Sequence, residues 1–284
     1  LESPQRWTRL KAKQVLASKD HLEVLPKLKA WASKEQRQFE AVTVLEWLDA
    51  PDETLLRKLL RLKDPRGRAY AARVAGRWGV RVDKVWELLE IAAADPHPRV
   101  RMEAVLACAQ LPHPRSVLIA ATAAESPRDR WIDYAFSQAV HHLKPLWLPA
   151  FRRGELDFGD RRRGLATVLG QADSRALLAD VRKLLGSNDL KGVARITLAK
   201  TLVAVGEEND LRLALDYKPP SAELLKALAG RDRPGFDPSA SLRRILDARQ
   251  PAARTAAMEL IGRWRIQELR PHALVAARNE ADSS

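Results

Sequence analysis

The residues best suited to chemistry are Asp129, Trp131 and Asp133, in the run RDRWIDYAF. Two carboxylates flank an indole. They are the catalytic candidates. The six histidines offer less. His97 and His113 sit in proline-flanked corners, and His21 and His272 stand alone. His141 and His142 are adjacent, so on a helix they point about 100° apart and do not form the i, i+4 pair that holds a metal. Cys108 is the single cysteine, which excludes an internal disulfide and a cysteine-pair metal site. No phosphate loop, nucleophile elbow or His-Glu-x-x-His motif occurs. The residues therefore predict no cofactor and no metal.

Binding chemistry is better represented. Arg152, Arg153, Arg161, Arg162 and Arg163 form the densest basic stretch and the candidate binding patch. Glu155, Asp157 and Asp160 lie among them, which argues for local ion pairing. Gly154, Gly159 and Gly164 mark the stretch as a long loop and a joint between two halves. The net charge is +13. Nucleic acid, an acidic protein partner, or simply arginine-rich solvated helix faces each account for it.

The elements that position these residues repeat. Asp95 to Ala124 reads as an amphipathic helix, a stop at Leu111-Pro112, and a second, more apolar helix. Asp95 is expected to cap the first helix. Such a pair needs copies on either side to bury its apolar faces. Copies begin at Asp64-Pro65, Glu125-Ser126-Pro127, Asn188-Asp189 and Gln250-Pro251. Ala41, Ala72, Ala104, Ala135, Ala166, Ala199, Ala229 and Ala256 mark the register, with spacings of 31, 32, 31, 31, 33, 30 and 27. A period of roughly 30 residues with two helices per unit is the mark of an α-solenoid. The fold predicted is all-α: a right-handed superhelix of about eight or nine hairpins. It is expected as one array over 1–284, with capping helices at 1–32, the best repeats at 33–153, and degenerate repeats and a C-terminal cap at 154–284.

Asp95, Pro96, Val100, Arg101 and Ala104 resemble the HEAT repeat. In that family the corner aspartate and the helix arginine bond between neighbouring repeats. The resemblance implies this structural role for Asp64, Asp95, Arg101, Asp189 and Arg195. A narrower likeness covers residues 64 to 150, through Asp129, Trp131, Asp133-Tyr134-Ala135, Leu143, Pro145 and Trp147. It is similar to the HEAT region of multidomain bacterial proteins with a sugar-dehydrogenase-like propeller and a c-type cytochrome. That likeness implies a spacer or docking arm of a periplasmic or secreted redox protein; otherwise a cytoplasmic location is expected. HEAT-like DNA glycosylases, which place an Asp beside tryptophans on a basic concave face, supply the alternative for Asp129, Trp131 and Asp133.

Further expectations are local. Trp7, Leu10 and Val15 of the first helix, and Leu22, Leu25, Leu28 and Trp31 of the second, should turn inward. Ser33 and Gln36 fit a capping box. Residues 127–142 and 143–151 should form a helix pair, and Tyr217-Lys218-Pro219-Pro220-Ser221 a rigid turn. Trp31, Trp47, Trp78 and Trp86 sit at core spacing. Cys108 reads as a small buried hydrophobe. No apolar run approaches the ~18 residues of a membrane span. The start at Leu1 and the polar end are expected of a segment from a longer protein. The function expected is a non-catalytic scaffold that binds another protein or another domain of the parent chain, with nucleic acid as the second partner class. A scaffold predicts no buried acid beside an aromatic pocket; a nucleic-acid binder predicts a continuous Arg/Lys stripe.

Overall fold

The computed structural model describes residues 1–172, 177–186 and 190–281. Every regular element among them is helical. In chain order these are α1 (Arg6–Ala17), α2 (His21–Trp31), α3 (Glu35–Trp47), α4 (Glu53–Leu59), α5 (Pro65–Trp78), α6 (Val85–Ala93), α7 (Pro98–Ala109), α8 (Ser116–Ala124), α9 (Arg130–Arg152), α10 (Arg162–Gln171), α11 (Leu178–Gly186), α12 (Gly192–Val205), α13 (Glu208–Leu215), α14 (Ala222–Leu228), α15 (Ser239–Leu246), α16 (Pro251–Arg263) and α17 (Arg270–Ala281). The chain divides into two compact units, Leu1–Gly164 and Leu165–Ser284.

In the first unit, hairpins α3/α4, α5/α6 and α7/α8 follow one another, and α9 stands alone after them. First helices α5, α7 and α9 lie side by side, and so do second helices α4, α6 and α8. This is the stacking of an α-solenoid: each hairpin covers the apolar stripe that its neighbour leaves bare. Small residues set the spacing. Ala71, Ala72, Ala75, Ala104 and Ala107 are buried. A Cβ added to Gly76 would fall 2.6 Å from the Ala107 Cβ and 2.8 Å from its Cα. Helix α5 therefore meets α7 backbone to backbone, with no room for a methyl group. In the second unit α12, α14 and α16 stack in the same way, with α13 and α15 between them in the chain and α17 packed on α15 and α16.

The helix pair expected over 127–151 is instead the single helix α9, with Pro145 and Pro149 inside it. Each proline deletes a backbone donor and normally breaks a helix. Here burial outweighs that loss. Leu143, Trp147, Leu148 and Ala150 are all in the core. The Trp147 indole N–H donates to the Val140 carbonyl at 2.9 Å, adding a bond across the interrupted stretch.

Other expectations are corrected at the N-terminal end. Trp7, Val15 and Leu22 are exposed, so these positions of α1 and α2 do not turn inward. Helix α3 starts at Glu35 after Lys34, so Ser33 does not cap it. Asp95 does not cap α7: the cap is His97, whose Nδ1 accepts from the Arg99 N–H at 3.2 Å. Trp78 is buried, but Trp47 is 48% exposed and Trp31 and Trp86 are half-buried, so core spacing overstated their burial. Cys108 is fully buried, and loss of hydration pushes its thiol up to about 12.

Helix ends also repeat. A buried Leu48, Trp78 or Trp264 is followed by Asp49, Gly79 or Arg265 with φ of 50°, 57° and 54°. After Asp49 and Arg265 the next N–H reaches five residues back, Ala50 to Leu45 at 3.0 Å and Ile266 to Ile261 at 3.1 Å. These are left-handed caps that satisfy free carbonyls.

Candidate interaction surface

Arginines near the start of the first helices close each corner in one recurring way. Arg9 donates to the Ser3 and Pro4 carbonyls at 2.8 and 3.0 Å. Arg68 donates to Leu62 and Lys63 at 2.8 and 2.9 Å. Arg101 donates to Asp95 and Pro96 at 2.8 Å each. Each reaches six and five residues back, because a guanidinium fork fits two successive carbonyls. The same side chains then reach the next hairpin. Arg9 pairs with Glu40 at 3.0 Å. Arg68 grips the Asp95 carboxylate at 2.6 and 3.0 Å. Arg101 donates to the Pro127 carbonyl at 2.6 Å, where the chain lacks a corner aspartate. Arg73 and Glu103 add a second inter-hairpin pair at 2.7 Å. Bonding to these carboxylates holds the Arg68 and Arg73 guanidiniums more firmly protonated than usual.

The residues named for that role divide. Asp95 and Arg101 sit in one corner, joined through the Asp95 carbonyl, and Asp95 turns its carboxylate to Arg68. Asp64 stays within its own helix start, accepting from the Arg66 N–H at 2.9 Å and from the Arg66 guanidinium. That contact holds its carboxyl below the usual range. Asp189 lies outside the described residues. Arg195 is half-buried on α12. Sequence reading missed Arg68, although Arg68 and Arg101 stand at matching places in their helices.

Asp129, Trp131 and Asp133 do come together, at the start of α9, but each is engaged differently. Asp129 caps the helix, accepting from Trp131 and Ile132 N–H groups at 3.0 and 2.9 Å. Asp133 pairs with Arg128 at 2.6 Å. The Trp131 ring is 61% exposed and carries the Arg130 guanidinium 4.6 Å from its centroid. Tyr134, one turn on, is 68% exposed. The acids that are buried lie elsewhere: Asp52, Glu103 and Asp210, facing Lys29, Arg73 and Arg182. Among the described residues no cluster of His, Cys, Asp and Glu could hold a metal ion.

The basic stretch is partly neutralised. Arg153 forms a two-bond pair with Glu155 at 2.5 and 2.8 Å. Arg161 turns inward, donating to the Thr122 hydroxyl at 2.8 Å and approaching Glu90 at 3.6 Å. Arg152 and Arg162 are exposed and Arg163 is half-buried.

An aromatic and charged strip runs across α3 and α5. The Phe39 and Tyr70 rings are 4.9 Å apart, and Tyr70 and Arg77 both donate to Glu46. Burial and that bond push the Tyr70 hydroxyl well above its ordinary range. With Leu106 of α7 and Trp131 and Tyr134 of α9 also exposed, the outward faces of these helices show large apolar side chains among arginines. The outward turn of Trp131 and Tyr134 was readable in principle. They are three residues apart, opposite the inward Ile132, Ala135 and Phe136.

The repeat geometry has a counterpart in known proteins. Residues 53–140 match the family model for HEAT repeats. That span takes in α4 to α8 and the first half of α9. The stacked helical hairpins define the fold as an α-solenoid, and within it residues 53–140 are similar to HEAT repeats, which generally mediate protein interactions or scaffolding. No curated protein matches the chain. No helix among the described residues is long and apolar enough to cross a membrane.

Proposed function

We propose that the protein is a non-catalytic scaffold that binds another protein, or another domain of its parent chain, through the outward face of α9. The observation that carries this is the pair Trp131 and Tyr134, more than half exposed on successive turns beside Arg130. Leaving two large rings in water forgoes burial worth about 1.5–3 kcal/mol each. Trp, Tyr and Arg are also the residue types that anchor protein interfaces. The engagement of Asp129 as a cap and Asp133 with Arg128 supports a binding role over a catalytic one. In this reading the scaffold is one part of a larger redox protein, an idea that rests on the resemblance read from the sequence over residues 64–150. The full open reading frame checks that part: a propeller or a Cys-x-x-Cys-His motif supports it, and their absence removes it.

The binding role is tested by affinity capture from the source cells with the wild-type chain and the Trp131→Ala, Tyr134→Ala double variant. The expected result is a protein partner held by the wild type and lost from the variant at unchanged melting temperature. Identical partners for both chains would refute the α9 face. Capture of duplex DNA with a steep loss of affinity as salt rises would replace the protein partner with nucleic acid.

A further inference from the structure

The Tyr217–Ser221 turn has no part in the α9 face, yet it shapes a large recess of the second unit. A cavity of about 850 Å³ is lined by Lys191, Arg195, Ile196, Tyr217, Lys218 and Pro219, among others. A second, of about 720 Å³, shares Arg195, Tyr217 and Lys218 with it and adds Arg182, Arg212 and Asp216. The two adjoin at Arg195, Tyr217 and Lys218, as two lobes of a groove. The sequence explains the opening. Two consecutive prolines hold the turn stiff and supply no N–H groups, so it does not fold down onto α12.

The charges in the groove are unbalanced. Two of its acids are answered by basic or polar groups: Glu223 by Lys200 at 3.5 Å, and Asp216 by Arg244 at 3.1 Å and the Ser241 hydroxyl at 2.7 Å. Arg182 is spent on Asp210 at 2.7 Å, and Arg212 lies 4.5 Å from the Phe236 ring centroid. Lys191 and Lys218 are exposed and have no acidic partner among the described residues. Between them the wall is apolar: Ile196, Pro219, Pro220 and the Tyr217 ring.

We infer that this groove holds a short acidic segment of a polypeptide, with carboxylates at Lys191 and Lys218 and an intervening apolar side chain against Ile196 and the prolines. This rests on the scaffold reading and names a second contact for it. Charge complementarity argues for the acid. Volume argues for a few residues, since sites of 300–1,000 Å³ hold ligands of that size. A single-stranded nucleic acid would need successive aromatic platforms, and Tyr217 is the one ring in either lobe.

The test is fluorescence anisotropy of the full chain with three labelled probes. These are a short peptide of alternating Glu and Leu, its Lys/Leu counterpart, and a single-stranded oligonucleotide of equal charge to the first. The Glu/Leu peptide is expected to bind most tightly. Lys191→Glu with Lys218→Glu should weaken it by about tenfold or more. The milder Lys191→Gln, Lys218→Gln pair should cost about threefold, and it reads the same contact without added repulsion should the reversal disturb folding. Lys226→Glu with Arg263→Glu, the same charge change at exposed positions outside the groove, should stay within about twofold. No binding of the Glu/Leu peptide, equal losses in both reversal pairs, or preference for the oligonucleotide would overturn the inference. Peptide failure with Trp131-dependent capture intact removes the groove alone. Loss of that capture with peptide binding intact removes the α9 face alone.

Discussion

The two units build the same helical stack with different side-chain chemistry. In Leu1–Gly164, hairpins are joined by carboxylate pairs and by arginine forks on corner carbonyls, as in Arg68 with Asp95 and Arg73 with Glu103. Helices α5 and α7 touch through Gly76 and Ala107. In Leu165–Ser284, carboxylate pairs also occur, but Arg231 adds a connector that uses carbonyls alone, donating to Val203, Ala204 and Gly206 at 2.9, 2.6 and 3.1 Å. Arg182 meets a buried Asp210 that also accepts the Glu207 N–H at 2.8 Å. The first unit is sealed by small residues, and its interesting surface is an outward face. The second has a proline-stiffened turn, and its interesting surface is a recess. Repeats thus tolerate a change of connector if each hairpin still covers its neighbour's apolar stripe.

The largest expected effect separates packing from hydrogen bonding. Trp147→Ala should cost the first unit about 4 kcal/mol through the cavity it leaves and the lost bond to Val140. Trp147→Phe, which keeps most of the volume, should cost well under half as much. Equal losses in urea unfolding would mean that the indole N–H, and not the ring, holds α9 together. Gly76→Val should destabilise the same unit by about 3 kcal/mol, since the added carbons meet the Ala107 backbone.

Connectors come next. Arg68→Ala leaves the nearly buried Asp95 carboxylate with only the His97 N–H and removes the guanidinium from two corner carbonyls, at about 2–3 kcal/mol. Arg231→Ala in the second unit strands carbonyls only, and should cost about 1–2 kcal/mol. The reverse order would contradict the distinction between the two chemistries.

Acid should test the Arg182–Asp210 connector of the second unit. The Arg182 guanidinium, with help from the Glu207 N–H, holds the Asp210 carboxyl below its usual range. A depressed folded pKa contributes stability that is complete above the unfolded value, about 3.9. It is lost as pH falls through the folded value. Asp210→Asn should therefore lower the melting temperature at neutral pH and flatten its decline below about pH 4. An unchanged acid limb would show that Asp210 does not supply it. The smallest effect expected is a gain. Arg265 holds φ 54° after Trp264, and Arg265→Gly should relieve about 1 kcal/mol of left-handed strain. Gly79 already does so in the first unit.

Much of this was legible in the chain. Alanine spacing and the Asp-Pro corners gave the hairpins, because tight stacking demands small residues at fixed intervals. Register was harder where a local signal competes with burial. Pro145 and Pro149 read as a break, yet Trp147 and Leu143 on one buried stripe keep α9 whole. Trp47 read as core because helical spacing does not say which stripe a neighbour covers. The start of α9 was found for its carboxylates, but its outward parts are the rings. The groove was visible only as a stiff turn, because the residues around it come from several helices, α11 to α14 and α16, that are far apart in the chain.

The most direct measurement is site-specific photo-crosslinking in cells, with a photoreactive phenylalanine analogue at Tyr134 and, in a parallel chain, at Val80, which is equally exposed in the same unit. A discrete crosslinked polypeptide from position 134 and none from position 80 is the expected result. Crosslinks to nucleic acid, or a pattern shared by both positions, would contradict a scaffold acting through α9.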